Sequence, residues 1–153
     1  MNFRIVAALL TAAALAFACG PRSHSSANAG EHPHRAHAAG TTPVASTLDV
    51  TVQHDVSFAL TVTNVGDKRL ELTFPSGHTH DVVVTDRSGR PVWRWSEGRL
   101  FTQGLQNRVV GSDDSVTFEE RWTPVGLHGT FTAVATLRSA NFPIEQRTEF
   151  TLP

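Results

Sequence analysis

From Thr47 to the end of the chain, apolar residues recur at every second position. Leu48, Val50 and Val52 are followed by Phe58, Leu60 and Val62, then by Leu70, Leu72 and Phe74. The rhythm returns at Val116, Phe118 and Trp122, at Phe131, Ala133, Ala135 and Leu137, and at Phe150 and Leu152. Period two places such side chains on one face of a pleated strand. The run DVVVTD at 81–86 is more continuously apolar and suits a central strand. No stretch carries a sustained i, i+3, i+4, i+7 stripe. Turn-forming clusters punctuate the runs at Asn64-Val-Gly-Asp, Asp86-Arg-Ser-Gly and Gly111-Ser-Asp-Asp. The expected fold is all-β: an immunoglobulin-like antiparallel β-sandwich of about 8 strands, with a jelly roll or small barrel as the second choice. Cys19 is the only cysteine, so no internal disulfide can form. The domain must be held by its core, and 40% hydrophobic residues supply one.

The region before Thr47 has a different character. Residues 1–18 combine a short basic start with the apolar stretch IVAALLTAAALAFA, and read as a secretory signal peptide. The stretch is shorter than the ~20 residues that a stable spanning helix needs. Ala16-Phe17-Ala18-Cys19 resembles a bacterial lipobox, with Ala16 where leucine is more usual. The resemblance implies cleavage before Cys19 and lipidation of its thiol and new amino terminus, and several acyl chains anchor stably where one does not. Residues 19–46 are rich in Ser, Ala, Gly, Pro and His and nearly free of large aliphatics. Such a segment cannot bury enough apolar area to offset its ordering entropy, and reads as a flexible linker. Residues 47–153 form the single domain. The expected location is the bacterial cell envelope, with membrane attachment through the lipid on Cys19. Gly20 follows the cysteine where aspartate retains many lipoproteins at an inner membrane, which favours the outer membrane or cell surface.

Composition and spacing exclude several function classes. The net charge is −1 and no basic block occurs, so phosphate-driven nucleic-acid binding has no footing. A Gly-x-Ser-x-Gly elbow is absent. Asp113-Asp114 falls in an expected turn and Glu119-Glu120 points to opposite faces of a strand, so neither is an acid–base pair. The chain reads as a non-enzyme, and no cofactor is expected. His78 and His80, two apart with Asp81 adjacent, are weak candidates for a metal site, with His54 and His128 as further imidazoles. The His-rich linker (His24, His32, His34, His37) fixes no coordination geometry. Trp93 is expected in the core, with Trp95 nearer a strand end.

If every connection reverses the chain, loops alternate between the two ends of the sandwich. One end then collects His54-Asp55, residues 75–80, residues 96–99 and residues 123–129. These loops are longer and richer in His, Gly and Pro than those of the other end. Binding residues concentrate on loops held by a rigid scaffold. The candidate partner-binding residues are Ser76, Gly77, His78, Thr79, His80, Glu97, Arg99, Val125, Leu127 and His128. Arg99 and Leu127 are the side chains suited to a specificity pocket.

The stretch LTFPSGHTHDVVVTDRSGRPVWRWSEGRLFTQGL (72–105) resembles the BsuPI-type intracellular proteinase inhibitor domain. The match runs through Asn64, Leu72-Thr-Phe74, Ser76-Gly77, Asp81, Gly89, Val92-Trp93-Arg94-Trp95-Ser96, Gly98 and Phe101. Downstream it takes in Phe118-Glu119-Glu120-Arg121-Trp122 and Gly129-Thr130-Phe131, so that it spans roughly residues 47–152. It implies an immunoglobulin-like domain that binds a subtilisin-like serine protease and blocks it with loops. Export departs from the intracellular setting of the family name and moves the target to the envelope or beyond. The alternatives are a non-inhibitory envelope adhesion or assembly lipoprotein, and a metal-binding lipoprotein using His78 and His80.

Overall fold

The alternating pattern is realised as strands that pair antiparallel throughout. The computed structural model describes residues 42–153. The signal segment, Cys19 and most of the linker lie outside the described residues. Nine strands occur among the described residues: β1 (Val44–Val52), β2 (Val56–Asn64), β3 (Leu70–Phe74), β4 (His80–Thr85), β5 (Pro91–Arg94), β6 (Gln106–Val110), β7 (Ser115–Trp122), β8 (Gly129–Leu137) and β9 (Ile144–Leu152). They form a three-stranded sheet β1-β2-β7, a four-stranded sheet β5-β4-β8-β9 and a ribbon β3-β6.

The two larger sheets share one core. Phe58, Leu60 and Val62 of β2 are buried, as are Phe131, Ala133, Ala135 and Leu137 of β8. Aromatic contacts cross between the sheets. Trp93 of β5 is stacked between Phe58 and Trp122, with both centroid distances 5.6 Å. Phe58 meets Phe150 of β9 edge-on at 6.0 Å. Each such ring contributes roughly 1.5–3 kcal/mol through burial.

The first strand begins at Val44, three residues ahead of the boundary expected at Thr47. Val44, Ala45 and Ser46 pair with Asn64, Thr63 and Val62. Backbone pairing does not need large side chains, so their composition gave no sign of it. The outer edge of β1 is covered by β9. Gln146 donates its amide to the Ser46 carbonyl (3.3 Å) and hydroxyl (2.8 Å), and Thr148 donates its hydroxyl to the Leu48 carbonyl (2.9 Å). This explains why β9 is polar at positions facing inward.

The chain does not reverse between β3 and β4. Arg138 N–H donates to Thr79 O and Ala140 N–H to Thr73 O, both at 2.8 Å. β4 then pairs with β8 from His80 opposite Leu137. Both strands therefore run antiparallel to the same stretch, 137–140, and in the same direction as each other. Six residue steps from Thr73 to Thr79 match two on the partner, so the excess is pinched out as a loop at 75–79. The alternation of loop ends expected from the sequence fails at this point.

At the far end Asn64, fully buried, ties two turns together. Its Nδ2 donates to the carbonyls of Lys68 (2.7 Å), Gly111 (2.8 Å) and Val110 (3.2 Å), and its Oδ1 accepts from Gly66 N–H (3.0 Å). Asn64→Leu leaves those backbone groups buried without partners. The expected loss is about 3 kcal/mol of folding stability, measured by urea unfolding of the variant against the parent.

Candidate functional site

The loops expected to form one recognition edge separate into two groups. The first gathers at the open end of the β1-β2-β7 sheet. Thr123 donates its hydroxyl to Asp55 Oδ1 (2.7 Å), which joins loop 53–55 to loop 123–128. Turn 86–90, assigned by alternation to the opposite end, sits here too, with Arg87 Nη2 donating to Thr130 Oγ1 (2.9 Å). Within that turn the Asp86 carboxylate is held down at about 2, first by the Ser88 hydroxyl and then by Ser88 and Arg90 backbone and side-chain donors. Leu127 is half-buried against the core, which removes it as a free pocket-filling side chain. Val125 is 86% exposed. His128 Nδ1 is engaged by the Pro153 carbonyl, and His54 is exposed.

The second group lies on the flank, where β4 and β5 face β7. Its centre is Asp81, 4% exposed. Oδ1 accepts from Val82 N–H (3.0 Å) and Ser96 N–H (3.2 Å). Oδ2 accepts from the Ser96 hydroxyl (2.8 Å) and from Arg94 Nη1 (2.9 Å). Beside it, the His80 ring stacks on Trp95 at 4.4 Å and touches Phe118 at 4.9 Å. His80 Nε2 lies 2.8 Å from Glu120 Oε1. A carboxylate only accepts, so Nε2 donates, and Nδ1 lies 3.1 Å from the Thr79 hydroxyl.

Loop 75–79 and the segment 95–105 pack on each other here. Gly77 N–H donates to Thr102 O (2.9 Å). A Cβ at Gly77 would stand 2.5 Å from Thr102 Oγ1, so only glycine permits this approach. The His78 ring lies flat on Phe101, centroids 4.2 Å apart and 7° from parallel. Arg99 folds back: its Nε donates to Trp95 O (2.8 Å) and its guanidinium lies 4.6 Å from the indole centroid. Arg99 is therefore an anchor of the loop rather than a probe for a pocket. Between the two anchored residues Arg99 and Phe101, Leu100 projects with 100% of its surface exposed.

Of the candidate residues, Ser76, Gly77, His78, Thr79, His80, Glu97 and Arg99 belong to this flank, whereas Val125, Leu127 and His128 belong to the other group. Leu100, Phe101, Trp95 and Glu120 complete the flank. The exposure of Leu100 and the reach of Glu120 from β7 both needed the fold. The two histidines do not converge as a chelate, because both His80 nitrogens already have partners and His78 is stacked on Phe101. Among the described residues, no three His, Cys, Asp or Glu side chains gather in a way that could hold a metal ion.

Two buried side-chain polar atoms lack a hydrogen-bond partner among the described residues: His78 Nε2 and Trp95 Nε1. Orphaned polar atoms are uncommon in protein interiors, and these two share one loop junction. Open grooves of about 530 and 540 Å³ lie around Ser57, Ala59, Glu120 and Arg121 and at turn 86–90.

Burial pushes the His78 pKa below its ordinary 6.5, with Arg138 adding repulsion against the pull of Asp81. A ring kept neutral in the fold binds its proton more readily when unfolded. Stability from this group is therefore full above 6.5 and falls as the pH drops through that value. His78→Phe keeps the stack on Phe101 without the titration. Unfolding curves at about pH 7 and about pH 5 should show a smaller acid-dependent loss for the variant than for the parent.

In comparisons with known proteins, the family described as BsuPI, intracellular proteinase inhibitor, matches residues 44–142. No curated protein matches the chain in sequence. Among solved structures, the yjhA protein from Bacillus subtilis is 16% identical with a TM-score of 0.35, over 68% of this chain and 87% of that one. A β-glucosidase from Erythrobacter marinus (13% identical, TM-score 0.37) is covered over 71% of this chain and 16% of its own. A putative β-galactosidase from Bacteroides fragilis (12% identical, TM-score 0.37) is covered over 72% and 16%. The chain thus spans about a sixth of the length of each of these two enzymes.

Proposed function

This chain belongs to the BsuPI family of intracellular proteinase inhibitors, and from that premise we propose that it is a non-catalytic, envelope-anchored inhibitor of a subtilisin-like serine protease. The observation that carries the reading is the pinned, projecting segment 95–105. An inhibitory loop must be ordered before it binds, or the ordering cost is taken from affinity. Here the order comes from the stack of Phe101 on His78, the fold-back of Arg99 on Trp95, and the bond from Gly77 to Thr102. A loop-built surface that projects a fully exposed leucine suits a protein partner with a cleft better than a small molecule.

The test is titration of the purified protein against a panel of subtilisin-like and trypsin-like proteases. Inhibition of a subtilisin-like member at micromolar or lower concentration is expected, and failure to slow any protease refutes the reading.

The anchoring part rests on residues 1–19. The short apolar export segment ends at Cys19, and the lipobox resemblance supports lipidation there. A lipid at that position confines the inhibitor to the envelope and so selects exported proteases as targets. Cells fed a labelled fatty acid should label the parent chain, and Cys19→Ala should abolish the label and release the protein from the membrane fraction.

A further inference from the structure

We infer that Leu100 is the specificity-determining side chain of this surface, and that its partner is a protease whose primary pocket takes a large apolar residue. The inference rests on the inhibitor reading and deepens it. Other exposed apolar residues are Val65 (52%), Val109 (59%), Leu105 (76%) and Val125 (86%), and none matches Leu100 at 100%. Full exposure of a leucine forgoes roughly 1.5–3 kcal/mol of burial, and a pocket on a partner recovers it.

The local geometry makes Leu100 a probe. Its neighbours on both sides turn inward, Arg99 onto Trp95 and Phe101 onto His78. With both neighbours engaged by the domain, Leu100 is the side chain of this stretch left wholly to solvent. Val125 has no such arrangement, standing between Pro124 and Gly126. Turn bonds from Glu97 N–H to Arg94 O (3.3 Å) and from Arg99 N–H to Ser96 O (3.2 Å) fix the approach to Leu100, and Gly98 takes a φ of +73° within the turn. Among the described residues nothing pairs with the N–H or C=O of Leu100 itself. Both are free to join the edge strand with which a protease holds an extended substrate.

The experiment compares inhibition constants of the parent, Leu100→Asp and Leu100→Arg against subtilisin and trypsin. Leu100 makes no interior contact, so unfolding curves of the variants should overlay that of the parent. The expected result is that Leu100→Asp weakens inhibition of subtilisin by about 30-fold or more, while Leu100→Arg shifts inhibition toward trypsin. If the parent inhibits and Leu100→Asp inhibits equally well, the inference falls and the inhibitor reading stands. The inference also falls, with the inhibitor reading intact, if Val125→Asp rather than Leu100→Asp weakens inhibition. A parent that blocks only Arg- or Lys-specific proteases likewise overturns the inference. If the parent slows neither protease, the reading and the inference fall together.

Discussion

Burying the Asp81 carboxylate strips a charge of water, and the fold must replace that hydration with donors. It does so from three places: Val82 in β4, Arg94 at the end of β5, and Ser96 in the following turn, which gives both its N–H and its hydroxyl. Arg94 is 47% exposed, so its ionic attraction is screened by solvent and the neutral donors carry much of the compensation. The consequence is positional. The carboxylate accepts all four donors only when β4, β5 and the start of segment 95–105 hold one relative arrangement. The segment that projects Leu100 therefore starts from a fixed point of the core.

Past that fixed point the segment has no disulfide to restrain it. Aromatic packing takes over that duty. Trp95, which extends the β4–β5 ladder by donating its N–H to Val82 O (2.9 Å), receives His80 and the Arg99 guanidinium. Phe101 rests on His78, which loop 75–79 supplies. That loop exists because β3 and β4 run in the same direction and shed their excess residues sideways. One irregularity of the sheet thus supplies the support for the other, and the lack of a side chain on Gly77 lets the two backbones meet.

The layers of the fold were legible because burial on one face enforces period two, as in Phe58, Leu60 and Val62 or Phe131, Ala133 and Ala135. Where side chains do not choose a face, legibility failed. Gln106, Asn107, Arg108 and Val109 of β6 are exposed on both sides, and Ser46 joins β1 through its backbone. The candidate residues at 76–80, 97 and 99 fall together on the flank, but not with Val125, Leu127 and His128. The grouping depended on counting chain reversals, and a pinched-out loop looks like a hairpin in sequence because both need Pro, Ser and Gly. Arg99 and Leu127 stood out by chemistry, yet each is engaged by its own domain. Exposure of Leu100 follows from the inward turn of its neighbours, which sequence does not encode locally.

Two junctions of the domain show opposite ways of treating buried polar atoms. Around Asn64, the amide is saturated and the turns it joins have no slack. Around His78 and Trp95, two ring nitrogens are buried and unmatched. A stable fold removes such orphans where it can, since each costs about 1–3 kcal/mol. Both lie at the loop junction that supports the exposed leucine, with His78 Nε2 3.8 Å from Asp81 Oδ2. Burial and Arg138 oppose a charge on His78, whose ring lies flat against Phe101. The flank thus carries two unmatched ring nitrogens at its loop junction, while the far end is tied by a saturated amide.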